Sequence, residues 1–195
     1  AMRGVMSMAF KLEMIDAETY QRIRSIKSVK HTTLPKGRDL SYGELQSLLH
    51  TTKEEHTPAM MRDAAIVAVL YGCGLRRAEL VAIQLEDYDA ATGKLLIKSG
   101  KGRKERTVYI TGGVEKAVKY WLAVRGTNEG PMFVPVLKNG RIVSRQMSSQ
   151  AVYLIIKRLA EKADVDDFSP HDFRRTFVGD LLDRGADIAT VSKLV

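Results

Sequence analysis

Cysteine is almost absent from this 195-residue chain, where Cys73 stands alone. One thiol cannot close an internal disulfide, so a reducing cytosol is the expected compartment. One cysteine and four scattered histidines also supply no zinc-ligand spacing. Long apolar runs are missing as well. The longest, Ala64 to Tyr71, is too short to cross a bilayer. The opening Ala-Met-Arg-Gly-Val-Met-Ser has no apolar stretch of the length a signal peptide needs, so none is expected. There is no internal repeat and no low-complexity tract. What remains is an ordinary globular composition, 45% hydrophobic and 28% charged, long enough to bury a core across one or two domains.

Acidic residues are the scarcer sign, 23 against 31 basic, for a net charge of +8. Such a surface attracts polyanions, and nucleic acid is the commonest one in cells. A mildly basic protein that binds none is equally compatible with the count.

The pattern along the chain predicts mainly helix. Residues 4–26 read as two short helices, with Met6, Phe10 and Met14 spaced for one apolar stripe and Asp16 as a cap. Residues 27–38 are basic and broken by Thr32, Thr33, Pro35 and Gly37, which suits a linker. Ser41 with Glu44 forms a capping box ahead of Leu45, Leu48 and Leu49. Thr57-Pro58 opens a helix that stops at Gly72-Cys73-Gly74, and another begins near Leu75. The period then changes. Residues 94–98 and 106–110 read as strands about a Gly-rich turn, followed by a helix near 114–124 that holds Trp121. Asn139-Gly140 suggests a small hairpin between 133–137 and 141–143, and helices resume from about Ser148, interrupted around 164–169. The expected class is mainly α with a small antiparallel β-sheet (α+β).

Three places carry candidate chemistry. In Gly74-Leu-Arg76-Arg-Ala-Glu79-Leu80 an arginine follows a Gly turn in the first helical turn, where the helix dipole disfavours it. Glu79, three residues on, can hold Arg76 as a guanidinium aimed at phosphate; a plain surface ion pair is the competing reading. Lys98-Ser-Gly-Lys101-Gly-Arg103-Lys104-Glu-Arg106 is a basic hairpin tip. Its Lys101 could enter a DNA groove and protonate a leaving oxygen, or merely keep the tip soluble. Ser169-Pro-His171-Asp-Phe-Arg174 places His171 and Arg174 on one face at a helix start, which already favours bound phosphate. Phe173 and Phe177 would anchor the neighbouring face in the core, and a lone helical histidine is usually structural.

In order, these residues read Arg, Lys on a hairpin, then His-x-x-Arg. That series resembles the tyrosine recombinase family, which includes phage integrases and the integrases of other mobile elements, over residues 38–195. Tyr71-Gly-Cys-Gly-Leu-Arg76-Arg-Ala-Glu-Leu80 is similar to the family's first arginine box, with Cys73 where threonine is frequent. Gly100-Lys101-Gly-Arg-Lys-Glu-Arg106 resembles its lysine hairpin, and Ser169 to Phe177 its second box, with Arg175 where histidine is frequent. The resemblance implies residues 1–37 as the end of a core-binding domain plus linker, and 38–195 as a catalytic domain lacking its C-terminal tail. It implies Arg76, Lys101, His171 and Arg174 as catalytic, Glu79 as support, and Arg103, Lys104, Arg106 and Arg145 as DNA contacts. The implied reaction is DNA strand cleavage and rejoining through a phosphotyrosyl link, with no metal or nucleotide cofactor. The implied partner is a double-stranded recombination site, bound by a homotetramer in the bacterial cytoplasm at the nucleoid, without a membrane; this chain alone would be a monomer.

The nucleophile is the departure. Tyr71, Tyr88, Tyr109, Tyr120 and Tyr153 all precede the second box, and no tyrosine follows it. The resemblance therefore implies a chain cut before its nucleophile, which binds DNA weakly and does not cleave alone. The alternatives are a type IB topoisomerase-like relaxing enzyme, a non-catalytic DNA-binding protein, and a basic helical RNA-binding module.

Overall fold

The computed structural model describes residues 2–25, 37–52, 56–98 and 105–194. The chain divides into two compact units, Ala1–Lys36 and Gly37–Val195.

The first unit holds α1 (Met2–Lys11) and α2 (Ala17–Ser25). The Asp16 carboxylate accepts from the Thr19 amide at 2.7 Å and from its hydroxyl at 2.9 Å, capping α2 as expected. Phe10 stacks on Tyr20 at 4.6 Å. Met14 departs from the expected stripe: α1 stops at Lys11, Glu13 turns at φ +56°, and the Met14 side chain is exposed. Most of the expected linker, residues 27–36, lies outside the described residues.

In the second unit the chain is pinned from its first residues. Arg38 donates to the Asp166 carbonyl at 2.8 Å and pairs with Glu44 at 2.7 Å, and the Leu40 amide donates to the Thr176 hydroxyl at 2.9 Å. Arg38 thus belongs to this packing and not to a linker. Next come α3 (Tyr42–Thr51) and α4 (Pro58–Gly72). The Ser41–Glu44 capping box closes in both directions, and Thr57 caps α4 with Pro58 at its first position.

Most of α4 is buried, as its all-round apolar sequence requires. Five other helices pack on it: α3, α5 (Arg77–Ala82), α6 (Gly112–Arg125), α7 (Ser149–Lys162) and α8 (Pro170–Asp183). Between them Leu48, Ile66, Leu70, Trp121, Phe133, Ile156 and Phe173 are fully buried. The Trp121 indole donates to the Met132 carbonyl at 2.9 Å, so its one polar atom is satisfied inside the core. The sharpest polar feature of α4 is Asp63. It has no exposure, takes Arg62 on one oxygen and Arg158 of α7 on the other, and burial still raises its pKa.

A three-stranded antiparallel sheet of β1 (Tyr88–Asp89), β2 (Lys94–Ile97) and β3 (Arg106–Tyr109) lies in strand order, with Leu95 opposite Val108 and Ile97 opposite Arg106. The expected class therefore holds, and β1 is an addition. The 133–143 segment departs from expectation: Asn139-Gly140 reverses the chain, but only Val136 and Ile142 form a bridge, since Pro135 offers no amide. The C-terminal helical stretch also breaks a second time, at residues 184–187, before α9 (Ile188–Leu194). That helix packs on α8 and β3 with Val191 buried.

Candidate active site

The site is built where α4 ends. Gly74 adopts φ +58°, a left-handed conformation in which a side chain is strained. A Cβ there would also lie 2.4 Å from the Phe177 ring of α8. Glycine is therefore required twice, for the turn and for the approach of α8. That approach lets the Gly74 carbonyl accept from Arg174 Nη1 at 2.9 Å, although the two residues are 100 positions apart.

Arg76 sits one step earlier than its pattern suggests. It is the N-cap of α5 with extended backbone (φ −75°, ψ 150°), not a residue of the first turn, so its charge lies outside the helix dipole's worst position. Glu79, at the third helical position, accepts from the Arg76 amide at 2.9 Å and from its Nη1 at 2.8 Å. This half of a capping box is the one an arginine permits, because its side chain has no acceptor.

Glu79 does more than support Arg76. Arg106, the first residue of β3, grips both its oxygens, with Nη1 at 3.1 Å and Nη2 at 2.8 Å, and Arg174 Nη1 stands 3.8 Å from Oε2. Burial pushes the Glu79 carboxyl up, but the hydrogen bonds from Arg106 and Arg76 outweigh it and hold its pKa at about 2. Among the described residues, three guanidinium groups thus meet one ionised carboxylate. Their exposures differ: the Arg76 side chain is 37% exposed, Arg106 13% and Arg174 9%. Pattern reasoning paired Glu79 with Arg76 alone, because Arg106 and Arg174 reach it only through tertiary contact.

His171 lies one turn before Arg174 and is exposed at the start of α8. The Asp172 carboxylate accepts from both the Ser169 amide at 2.8 Å and the Ser169 hydroxyl at 3.0 Å. Ser169 therefore donates to its cap partner instead of accepting from the helix, and Asp172 fixes the entry that presents His171. Phe173 is fully buried, as expected, while Phe177 is only partly so against Gly74. Lys101, Arg103 and Lys104 lie outside the described residues. The feet of that hairpin are described: Lys98 pairs with buried Asp87 at 2.5 Å, and Arg106 with Glu79. Arg145 is exposed on the loop before α7, whose Gln146 donates to the Val81 carbonyl at the end of α5.

Two further groups near the turn are chemically quiet. Burial pushes the Cys73 thiol up to about 12, which leaves it protonated and unreactive at neutral pH. The Tyr71 hydroxyl donates to Asp180 at 2.5 Å, and burial together with that carboxylate raises its pKa to about 12. Among the described residues no His/Cys/Asp/Glu group could hold a metal ion, and no helix is long and apolar enough to cross a membrane.

Residues 38–195 match the phage integrase family. The chain is 32% identical to tyrosine recombinase XerA of Pyrococcus furiosus over 186 residues, covering 95% of this chain and 60% of that protein. It is 34% identical to tyrosine recombinase XerC of Alcanivorax borkumensis over 179 residues, covering 89% and 55% respectively. The chain thus spans 60% or less of the length of these curated relatives. A crystal structure of a lambda integrase dimer bound to a COC′ core site aligns with 99% of this chain and 69% of its own, at TM-score 0.70 and 13% identity, a likeness of fold.

Proposed function

This chain belongs to the phage integrase family, and from that premise we propose that it acts in site-specific DNA strand cleavage and rejoining, with the Arg76–Glu79–Arg174 cluster as its phosphate site. One observation carries the reading: Arg76 and Arg174, distant in sequence, stand at the same carboxylate. A phosphodiester gains charge on its non-bridging oxygens as it is attacked. Guanidinium groups already oriented stabilise that charge without reorganising. Removing one such donor typically costs about 10²–10³ in rate.

In this reading Arg76, the more open of the two, meets the phosphate from solvent, and Arg174 supports it from beneath, aligned by the Gly74 carbonyl. His171, exposed at the start of α8, takes or returns the nucleophile's proton, a task suited to imidazole near neutrality. Lys101 protonates the leaving oxygen, an assignment that rests on the resemblance of its hairpin. Arg103, Lys104 and Arg145 hold the flanking backbone. No tyrosine of this chain is assigned as the nucleophile, since none follows the second box. The first unit serves as the end of a core-binding domain, and the whole protein works as a homotetramer on a double-stranded recombination site, without a membrane.

Mobility shift with duplex DNA tests the site. Arg174→Ala and Arg76→Ala are each expected to weaken binding by about tenfold in folded protein. A nicked suicide duplex should be bound without a covalent adduct. Unchanged binding in both variants, or an adduct from this chain, refutes the reading.

A further inference from the structure

The second unit begins along the start of α8. A Cβ added to Gly37, its first residue, would stand 2.6 Å from Asp172 Oδ1 and 3.1 Å from Arg175 Nη2. Asp172 is not free to swing clear, since its other oxygen is held by the Ser169 amide and hydroxyl. Arg38 then reaches two elements at once. Its Nη2 donates to the Asp166 carbonyl at 2.8 Å and pairs with Glu44 of α3 at 2.7 Å, while its guanidinium carbon lies 6.0 Å from the centre of the Phe168 ring. The Leu40 amide donates to the Thr176 hydroxyl, which itself donates to the Asp172 carbonyl, both at 2.9 Å. Residues 37–40 thus touch the loop before α8, its cap and its second turn.

We propose that residues 37–40 form a strap that sets the start of α8, with Arg38 as its positioning residue for the phosphate site. The inference rests on the proposed reading of that site. His171 and Arg174 both stand near the start of α8, so a tilt or slip of that start moves them together. Residues 165–169 form neither helix nor strand, so regular backbone pairing does not fix where α8 begins. Arg38 supplies a tie there. A charged donor on a carbonyl makes a stronger hydrogen bond than a neutral one. Its other partner, Glu44, is itself held by the Ser41 amide at 2.8 Å in the cap of α3. The helix that bears the site is thereby referenced to α3 through one guanidinium. The planar fork matters as well as the charge, because its Nε faces the Asp167 carbonyl at 3.5 Å while Nη2 serves Asp166 and Glu44.

The experiment is a double-variant cycle on the 195-residue chain, read as affinity for a fluorescent random-sequence DNA duplex at fixed salt. Circular dichroism sets a temperature at which every variant is folded. Arg38→Gln is expected to bind about fivefold more weakly than the parent. In an Arg174→Ala background the same change is expected to cost less than about twofold, because the strap acts through a residue already removed. Losses that simply multiply mark a direct DNA contact or a general loosening, and they overturn the proposal. Parent-like binding by Arg38→Gln overturns it too. Arg38→Lys separates charge from geometry: it is expected to stay about as weak as Arg38→Gln, and parent affinity with lysine also overturns the proposal. Trp121→Phe supplies a destabilisation inside the core; if it weakens binding as much as Arg38→Gln, affinity follows stability alone and the proposal falls. Should Arg38→Gln not fold, Gly37→Ala, which presses a methyl against Asp172, takes its place in the same cycle. Parent-like binding by Arg174→Ala sinks the phosphate-site reading itself, whereas a loss there with multiplying effects at Arg38 sinks only this inference.

Discussion

Replacing Gly74 by alanine strains the molecule in two separable ways. At φ +58° a side chain in the left-handed region costs about 1–2 kcal/mol. The new methyl would also meet the Phe177 ring at 2.4 Å, an overpacking that typically costs about 1–3 kcal/mol. Together these give a loss of about 2–5 kcal/mol, which for a protein of this size lowers the melting temperature by roughly 4–20 °C. Thermal unfolding followed by circular dichroism measures the sum, and a cycle with Phe177→Ala divides it. Phe177→Ala opens the space but leaves φ unchanged, so the pair should be less damaging than the two single changes added, by about 1–3 kcal/mol. The same variant should also weaken DNA binding, since the Gly74 carbonyl aligns Arg174. A melting temperature within a degree of the parent would refute the strain argument. A double variant with purely additive losses would show that the ring is not what the methyl meets.

Three other outcomes are expected. Asp63→Ala strands Arg62 inside α4 and should cost about 3–5 kcal/mol in urea unfolding, whereas Arg158→Ala, removing a side chain 56% exposed, should cost less than about 1 kcal/mol; equal losses contradict the buried-charge account. Acid should destabilise the fold, because Glu44 and Glu79 both titrate at about 2 when folded against the ordinary 4.5. Their stabilisation is complete above about pH 5 and is lost as the pH falls toward 2, so a melting temperature flat across that window would count against it. Trp121→Phe leaves the buried Met132 carbonyl without its donor and should cost about 1–3 kcal/mol by urea unfolding while leaving DNA affinity unchanged.

Local chemistry was legible wherever a few neighbouring residues suffice. Ser41 and Glu44, Thr57 and Pro58, and the left-handed turn at Gly74 act across at most one helical turn, and their elements stand where the pattern places them. The failures share a physical origin. β1 is two residues long and exists only because β2 pairs with it. The Met14 stripe ended because Glu13 turned left-handed, and the 133–143 hairpin shrank to one bridge because Pro135 offers no amide.

The sequence by itself determined the helical class, the boundaries set by caps and turns, and the ordered series of Arg76, Lys101, His171 and Arg174. It did so because capping, turn conformation and periodicity are properties of adjacent residues. Only the tertiary structure decided that Arg174 reaches across 100 residues to Gly74, and that Arg106, 27 residues from Glu79, holds the carboxylate on which Arg76 also depends. Charge balance within a cluster is a property of space, and the distances that set it come into being only when α5, β3 and α8 close around the core.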